Sequence, residues 1–275
     1  MSSTSFRTRD LGPLALVLAF VFISIAPLLW LLLAAFKPTS EIIAIPPVWI
    51  PDFTYLQNFH DVLTQFWPFI VNSLIATIGA TILALVLAVP TAFALVNHRF
   101  VGREALADWI LSTRMMPPIA AAVPLFVIFR GVGMLDSLPG LIIAYAGFNL
   151  PFAVWMTMSF IRRVPKELIE AARLEGCTWW QVLKDVVLPL SKSGLAAVAT
   201  FVFIFAWNEF MLALFLTTRE AKTFPVVISS FVGTGRVYWE YIAAASVIQC
   251  LPPVLFTFFM QRHIVSGVTM GAVKD

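Results

Sequence analysis

Residues 11–36 read LGPLALVLAFVFISIAPLLWLLLAAF, a run without one charged side chain. About 20 apolar residues suffice to cross the hydrocarbon core of a bilayer. Inside that core each backbone N–H and C=O must be satisfied within its own segment, so the run reads as a helix. Arg7 and Arg9 precede it, as basic residues precede the core of a signal peptide. The stretch exceeds the roughly 7–15 apolar residues of such a core, so it is expected to be an uncleaved first membrane helix.

Further runs of this kind lie at Pro68–Val96, Leu106–Phe129, Leu138–Ile161, Gly194–Leu216 and Tyr241–Gln261. The expected fold is all-α: a polytopic membrane protein with six transmembrane helices, residues 1–275 forming one transmembrane domain. Composition agrees. The chain is 60% hydrophobic and 12% charged, with mean hydropathy +0.91. A soluble domain carries about a quarter charged residues, so lipid must solvate much of this surface.

The net charge of +3 is small, but its placement is informative. Lys and Arg favour cytoplasmic loops. One side of the expected topology holds twelve of them: Arg7, Arg9, Arg99, Arg103, Arg162, Arg163, Lys166, Arg173, Lys184, Lys192, Arg262 and Lys274. The other holds five, namely Lys37, Arg130, Arg219, Lys222 and Arg236. Both termini are thereby expected in the cytoplasm.

Chemistry of other kinds finds little support. Cys177 and Cys250 lie far apart, and His60, His98 and His263 stand singly, so no disulfide framework or metal site is expected. No GxxxxGK[ST] loop is present, and nothing else suggests a nucleotide cradle. Gly131-Val132-Gly133 and Gly233-Thr234-Gly235 read as isolated turns. No Ser/His/Asp set or carboxylate pair points to an enzyme, and no nucleic-acid partner is implied.

The outer loops have distinct characters. Pro38, Pro46, Pro47 and Pro51 stiffen the crossing after the first helix. Thr54-Tyr55-Leu56-Gln57 reads as a capping box opening a short helix to about Phe66. Its Phe59, Leu63, Phe66 and Trp67 suit the membrane interface. Thr217–Glu240 is another outer loop, with Pro225 and the 233–235 turn.

The stretch Arg162–Lys192 lies between two spans yet is patterned. Pro165 suits a helix start, Lys166–Glu175 contains strong helix formers, and Gly176 fits a left-handed stop. Thr178 suits the cap of a second helix, Trp179 to about Val187, which Pro189 should help to end. A short helix with small Ala171 and Ala172 and charged flanks suits docking in a groove of another protein. An ordinary amphipathic interfacial loop is the alternative at this level.

Glu170-Ala171-Ala172, three residues, Gly176, nine residues, then Val186-Val187-Leu188-Pro189 resembles the EAA loop of ABC-importer permeases. That pattern is EAA-x3-G-x9-I-x-LP, with Val186 in place of Ile. The likeness extends to Phe36-Lys37-Pro38, Asn72-Ser73, Ala206-Trp207-Asn208-Glu209-Phe210 and the ending Gly267–Lys274. It is similar to the smaller of the two permeases in maltose-type sugar importers.

The resemblance implies the type I importer fold in a bacterial inner membrane. It implies a second homologous permease, two ATP-binding-cassette ATPase subunits and an extracytoplasmic solute-binding protein as partners. ATP and Mg would reside in the ATPases, with no cofactor in this chain. Residues 162–192 would be the cytoplasmic coupling loop, with Glu170, Ala171, Ala172, Gly176, Leu188 and Pro189 engaging an ATPase. Pro225, Gly233 and Gly235 would face the binding protein. The cargo would be a sugar, polyol or glycoside moved by alternating access. A permease for another small solute and an ion-coupled secondary transporter are the alternatives.

Ionisable groups within spans are costly and default to functional roles. Arg114, before Pro117-Pro118, and Glu209, beside Asn208, are the candidates for the translocation pathway. The paired prolines should break or kink the third span there. A structural polar pair, or snorkelling by Arg114, is the competing role.

Overall fold

The computed structural model describes residues 11–233 and 235–269. Arg7, Arg9, Thr234 and the end of the Gly267–Lys274 match, from Met270, lie outside the described residues. The described chain is helical throughout, apart from one isolated bridge between Val232 and Val237. Five helices are long and apolar enough to span a membrane, and a bent pair makes a sixth span.

The first span is α1 (Leu11–Ala35), followed by the single turn α2 (Thr39–Ile42). Helix α3 runs unbroken from Gln57 to Asn97. The expected short helix to Phe66 is thus the opening of the second span and not a separate element. The capping box at Thr54 does not form either. Asp52 accepts from both the Thr54 amide (2.9 Å) and the Thr54 hydroxyl (2.8 Å), closing an Asx turn ahead of the helix.

The third span divides into α4 (Arg103–Thr113) and α5 (Pro118–Gly131), bent by 92°. Pro117 and Pro118 supply no N–H, and Pro117 sits in extended backbone (φ −61°, ψ 139°), so the ladder stops as expected. The fourth span is α6 (Leu138–Ile161), and α7 (Lys166–Leu174) follows.

The fifth span departs from expectation at both ends. Helix α8 (Trp179–Gln181), a π-helical stretch (Val182–Val187) and α9 (Leu188–Trp207) are continuous. Pro189 therefore does not end the second helix of the loop. It falls at the second position of α9, just after the π turn, and a ladder already interrupted by that turn accommodates its missing N–H. The helix breaks instead after Trp207, and α10 (Met211–Leu216) resumes beyond Asn208–Phe210. The short α11 (Phe224–Ser230) leads to the last span, α12 (Trp239–Thr269).

The described residues form two compact units. In the unit of residues 11–66 and 228–250, Lys37 and Asn58 are fully buried. The Lys37 ammonium donates to the carbonyls of Val48 and Trp49 and lies 4.8 Å from the Trp30 ring. Asn58 donates to Ala35 O (3.0 Å) and Lys37 O (2.8 Å), tying α3 to the end of α1. Phe59 packs on Phe36 and Phe66 on Phe231, while Leu63 and Trp67 stay exposed.

In the unit of residues 67–227 and 251–269, α3 buries Ala76, Ala80, Ala84, Ala88 and Ala92 completely. Small side chains at this spacing let backbones approach closely within a membrane. Helix α9 meets α6 as tightly: a Cβ on Gly194 would stand 2.2 Å from the Phe160 ring. Helix α6 is the most enclosed span, with Tyr145, Asn149, Ala153, Val154, Thr157 and Ile161 among its buried residues.

Candidate coupling loop and translocation site

The loop of residues 162–192 is built as a braced lever. Pro165 is the N-cap of α7 (φ −57°, ψ 129°) and not its first residue, so the helix begins one position later than expected, at Lys166. Ile169 and Ala172 turn inward and are buried, as is Val164 before the helix. Glu170 and Ala171 are exposed, with Leu168, and Leu174 is 90% exposed. The lever thus presents small, apolar and acidic groups outward.

Its end is fixed by hydrogen bonds. Cys177 N donates to Ala172 O and Gly176 N to Arg173 O, both at 3.1 Å. This is a Schellman stop, and Gly176 takes the left-handed φ of +90° that it needs. The Arg173 guanidinium donates to Cys177 O and lies 4.6 Å from the Trp179 ring. Thr178 and Gln181 form a reciprocal capping box: Thr178 N donates to Gln181 Oε1 (2.7 Å), and Gln181 N to Thr178 Oγ1 (3.3 Å). Trp179 packs on His98, ring centroids 4.7 Å apart, whereas Trp180 points outward. Beyond the turn Val182, Leu183 and Val187 are buried, Leu188 is half-buried and Pro189 exposed.

The breaks of the third and fifth spans are both tied to the middle of α6. Arg114 Nη1 donates to Phe148 O (2.9 Å) and Asn149 Oδ1 (3.4 Å). Its guanidinium lies 5.4 Å from the Phe148 ring and 5.0 Å from the Phe205 ring, a cation–π arrangement. Asn149 is held by donating to Tyr145 O (2.9 Å). At the other break Tyr145 Oη donates to Glu209 O (3.4 Å).

Glu209 and Asn208 serve the break itself. Glu209 Oε1 accepts from Leu212 N (2.9 Å), capping α10, and Asn208 donates to Ile204 O (2.8 Å), closing α9. Arg114 makes no direct ion pair among the described residues. Beside the Arg114 break lies an apolar cavity of about 470 Å³ between α5 and α6, with Phe148, Met116 and Pro151 in its wall.

Pro225 is the second residue of α11, and Gly233 and Gly235 sit in an exposed turn closed by the Val232–Val237 bridge. Sequence reasoning missed the residue that organises the loop before α11. Asp136, in left-handed backbone (φ +50°), precedes α6. Its carboxylate accepts from the backbone of Thr218 (3.0 Å), Arg219 (3.0 Å), Glu220 (3.1 Å) and Ala221 (3.1 Å), and from the Thr218 hydroxyl (2.8 Å). Burial alone would raise its pKa. The donors of Thr218, Ala221 and Glu220 outweigh burial and hold the carboxyl well below the usual carboxylate range. Asn72 grips the same loop by donating to Glu220 O (2.8 Å) and Lys222 O (3.1 Å), and Ser73 Oγ accepts from Phe224 N (2.8 Å). The Asn72-Ser73 pair carried a signal, but only as part of a likeness. Asp136-Ser137 before Pro139 was a readable helix-start signal.

Known proteins share this architecture. The family described as binding-protein-dependent transport system inner membrane component matches residues 80–270. The diacetylchitobiose uptake system permease protein DasC of Streptomyces coelicolor is 37% identical, over 90% of this chain and 91% of its own. The trehalose transport system permease protein SugB of Mycobacterium tuberculosis is 36% identical, over 91% and 93%. A subunit of a bacterial ABC transporter that imports alginate has the same fold, with TM-score 0.76 over 94% of this chain and 99% of that one, at 22% identity. The chain thus belongs to the family of binding-protein-dependent transport system inner membrane components and is a multi-pass permease subunit of an ABC importer, distinct from its ATPase.

Proposed function

We propose that this permease carries a sugar, polyol or glycoside inward, driven by two ATPase subunits that engage α7, one on this chain and one on a second homologous permease. The observation that carries the reading is the lever itself. A nine-residue helix with a buried inner face, an exposed Glu170-Ala171 surface and a hydrogen-bonded stop at Gly176 is rigid enough to pass on force. Residues 162–192 act as the coupling loop within a single permease domain, 1–275. The cargo class is supported by relatives named for diacetylchitobiose and trehalose uptake at 36–37% identity.

Alternating access then proceeds as rigid bodies swing about the bundle. ATP closes the partner ATPases, α7 moves, and the cavity opens outward to a binding protein that Pro225, Gly233 and Gly235 face. The Arg114 break lines the pathway, where a fixed guanidinium and two aromatic faces can receive hydroxyl-rich cargo. Glu209 and Asn208 keep the fifth-span break in shape. The twelve-to-five distribution of basic residues supports cytoplasmic termini.

The test is uptake by proteoliposomes holding the permease pair, the ATPases and the cognate binding protein. Labelled disaccharide should enter only with ATP inside the ATPase-facing compartment and binding protein on the other side. Uptake driven by an ion gradient without ATP would replace this reading with a secondary transporter.

A further inference from the structure

Two chain reversals in the unit of residues 67–227 and 251–269 converge on one groove of about 530 Å³. The first joins α3 to α4 and brings Arg99 and Arg103. The second joins α6 to α7 and brings Arg162 and Lys166. Glu170 is the one acidic residue in the lining. Arg103 touches only exposed Glu104, at 3.4 Å, and Arg99, Arg162 and Lys166 have no acidic partner among the described residues.

Four cations around one concavity, with Glu170 the one acidic group in its lining, make a positive site that favours an anion. The floor of the groove says which anion. Ile161, Val164 and Ile169 are buried beneath the charges, and Trp179 stands at the side. The groove therefore pairs a cationic rim with an apolar bed, at the point where two spanning helices, α3 and α6, end. That is the depth of lipid headgroups, where basic pockets between helices take anionic phospholipids. Nearby, Arg163 lies 5.2 Å from the Phe160 ring, the posture of a side chain reaching for the interface.

We propose that this groove binds the headgroup of an anionic phospholipid, its phosphate among Arg99, Arg103, Arg162 and Lys166 and its glycerol end over Ile161 and Val164. Bound lipid sits against the buried root of α7 and steadies the lever without touching the cargo. The outward face of α7, with Leu168, Ala171 and Leu174, is left free, and Glu170 stands at the border between that face and the groove. A soluble phosphate would use the rim but not the bed. An acidic segment of a protein would use the rim and would make it part of an assembly surface.

The experiment uses the assembled importer in nanodiscs of phosphatidylcholine with a minor fraction of phosphatidylglycerol, followed by native mass spectrometry after detergent release. Wild type should retain phosphatidylglycerol. Each cation removed near a membrane surface lowers occupancy about fivefold, so Arg99→Gln with Arg162→Gln should lower it about 25-fold. The doubly conservative Arg99→Lys with Arg162→Lys should keep most of the binding. Excess inorganic phosphate should leave retention unchanged, and phosphatidylglycerol should raise ATPase coupling in wild type but not in the glutamine variant. Equal lipid retention by both proteins overturns the proposal. So does displacement by inorganic phosphate, which would mark a soluble-anion site. Loss of the ATPase subunit from the glutamine variant, with lipid retention unaltered, also overturns it and makes the groove a protein seat.

Discussion

Replacing Asp136 with alanine should loosen the outer loop more than any other single polar truncation there. The side chain accepts from four backbone N–H groups and one hydroxyl across the α5–α6 corner and the loop after α10. A capping carboxylate with one such bond contributes about 0.5–2 kcal/mol, and hydrogen bonds to a charged acceptor about 1.5–3 kcal/mol. The loop is exposed, so water can take over most of the freed N–H groups, and the bonds cannot simply be added. A loss of about 2–4 kcal/mol is expected for Asp136→Ala, and about half that for Asp136→Asn, which keeps one acceptor oxygen but loses the charge. The assay is thermal unfolding of the purified complex, read by tryptophan emission. The folded pKa lies below the unfolded one. The charge contribution is therefore complete above the unfolded value, near pH 4, and is lost only as pH falls through the lower folded value. The gap between wild type and Asp136→Asn should stay flat from about pH 5 to 8. A gap below about 0.5 kcal/mol, or one that shrinks across that neutral range, would refute the reasoning.

Further outcomes follow from the lever and the breaks. Ala172→Arg forces a long cation against the buried root of α7, so ATP hydrolysis should continue while binding-protein-dependent uptake falls at least tenfold in proteoliposomes. Gly176→Ala meets no neighbouring atom, but the +90° φ remains strained for any Cβ. It should lower stability by about 1 kcal/mol and slow uptake less than Gly176→Pro, as paired melting and transport curves will show. Arg114→Ala should reduce uptake without lowering basal ATPase activity, and unchanged uptake would remove Arg114 from the pathway. Asn58→Ala leaves the carbonyls of Ala35 and Lys37 without their donor and should cost about 1–3 kcal/mol in thermal unfolding.

Hydropathy made the spans legible because lipid demands long apolar runs whatever the side chains do in detail. The break at Arg114 was legible too, since paired prolines act through local covalent geometry. The helix at Lys166, the Gly176 stop and the Thr178 cap were legible in the 162–192 loop: a helix-forming run, a glycine stop and a capping residue are all local signals. Pro189 misled because its effect depends on whether the preceding turn can widen, and the π-helical stretch at Val182–Val187 packs against α7, which lies outside any local signal. The Thr54 box failed for a similar reason, as Asp52 competes for the same hydroxyl and amide. Glu209 was visible as an intramembrane acid, but its role as the cap of α10 appears only when the fifth span is seen to break. Asn58 and Asp136 act across 21 or more residues of chain, and Lys37 across 11 and 12, and such partners leave no periodic trace.

The uninterrupted helix from Trp179 to Trp207 sets how effort travels. Its 29 residues make a rod about 44 Å long at 1.5 Å per residue, rooted beside the lever and ending at the Asn208–Phe210 gap. Its one irregular turn, at Val182–Val187, lies close to the lever, and beyond it the helix runs regularly to Trp207, so a nudge at that end is carried toward the far tip. The give is concentrated at the tip, next to the Arg114 break. A displacement of a few ångströms at one end can therefore still reach the gap at the other.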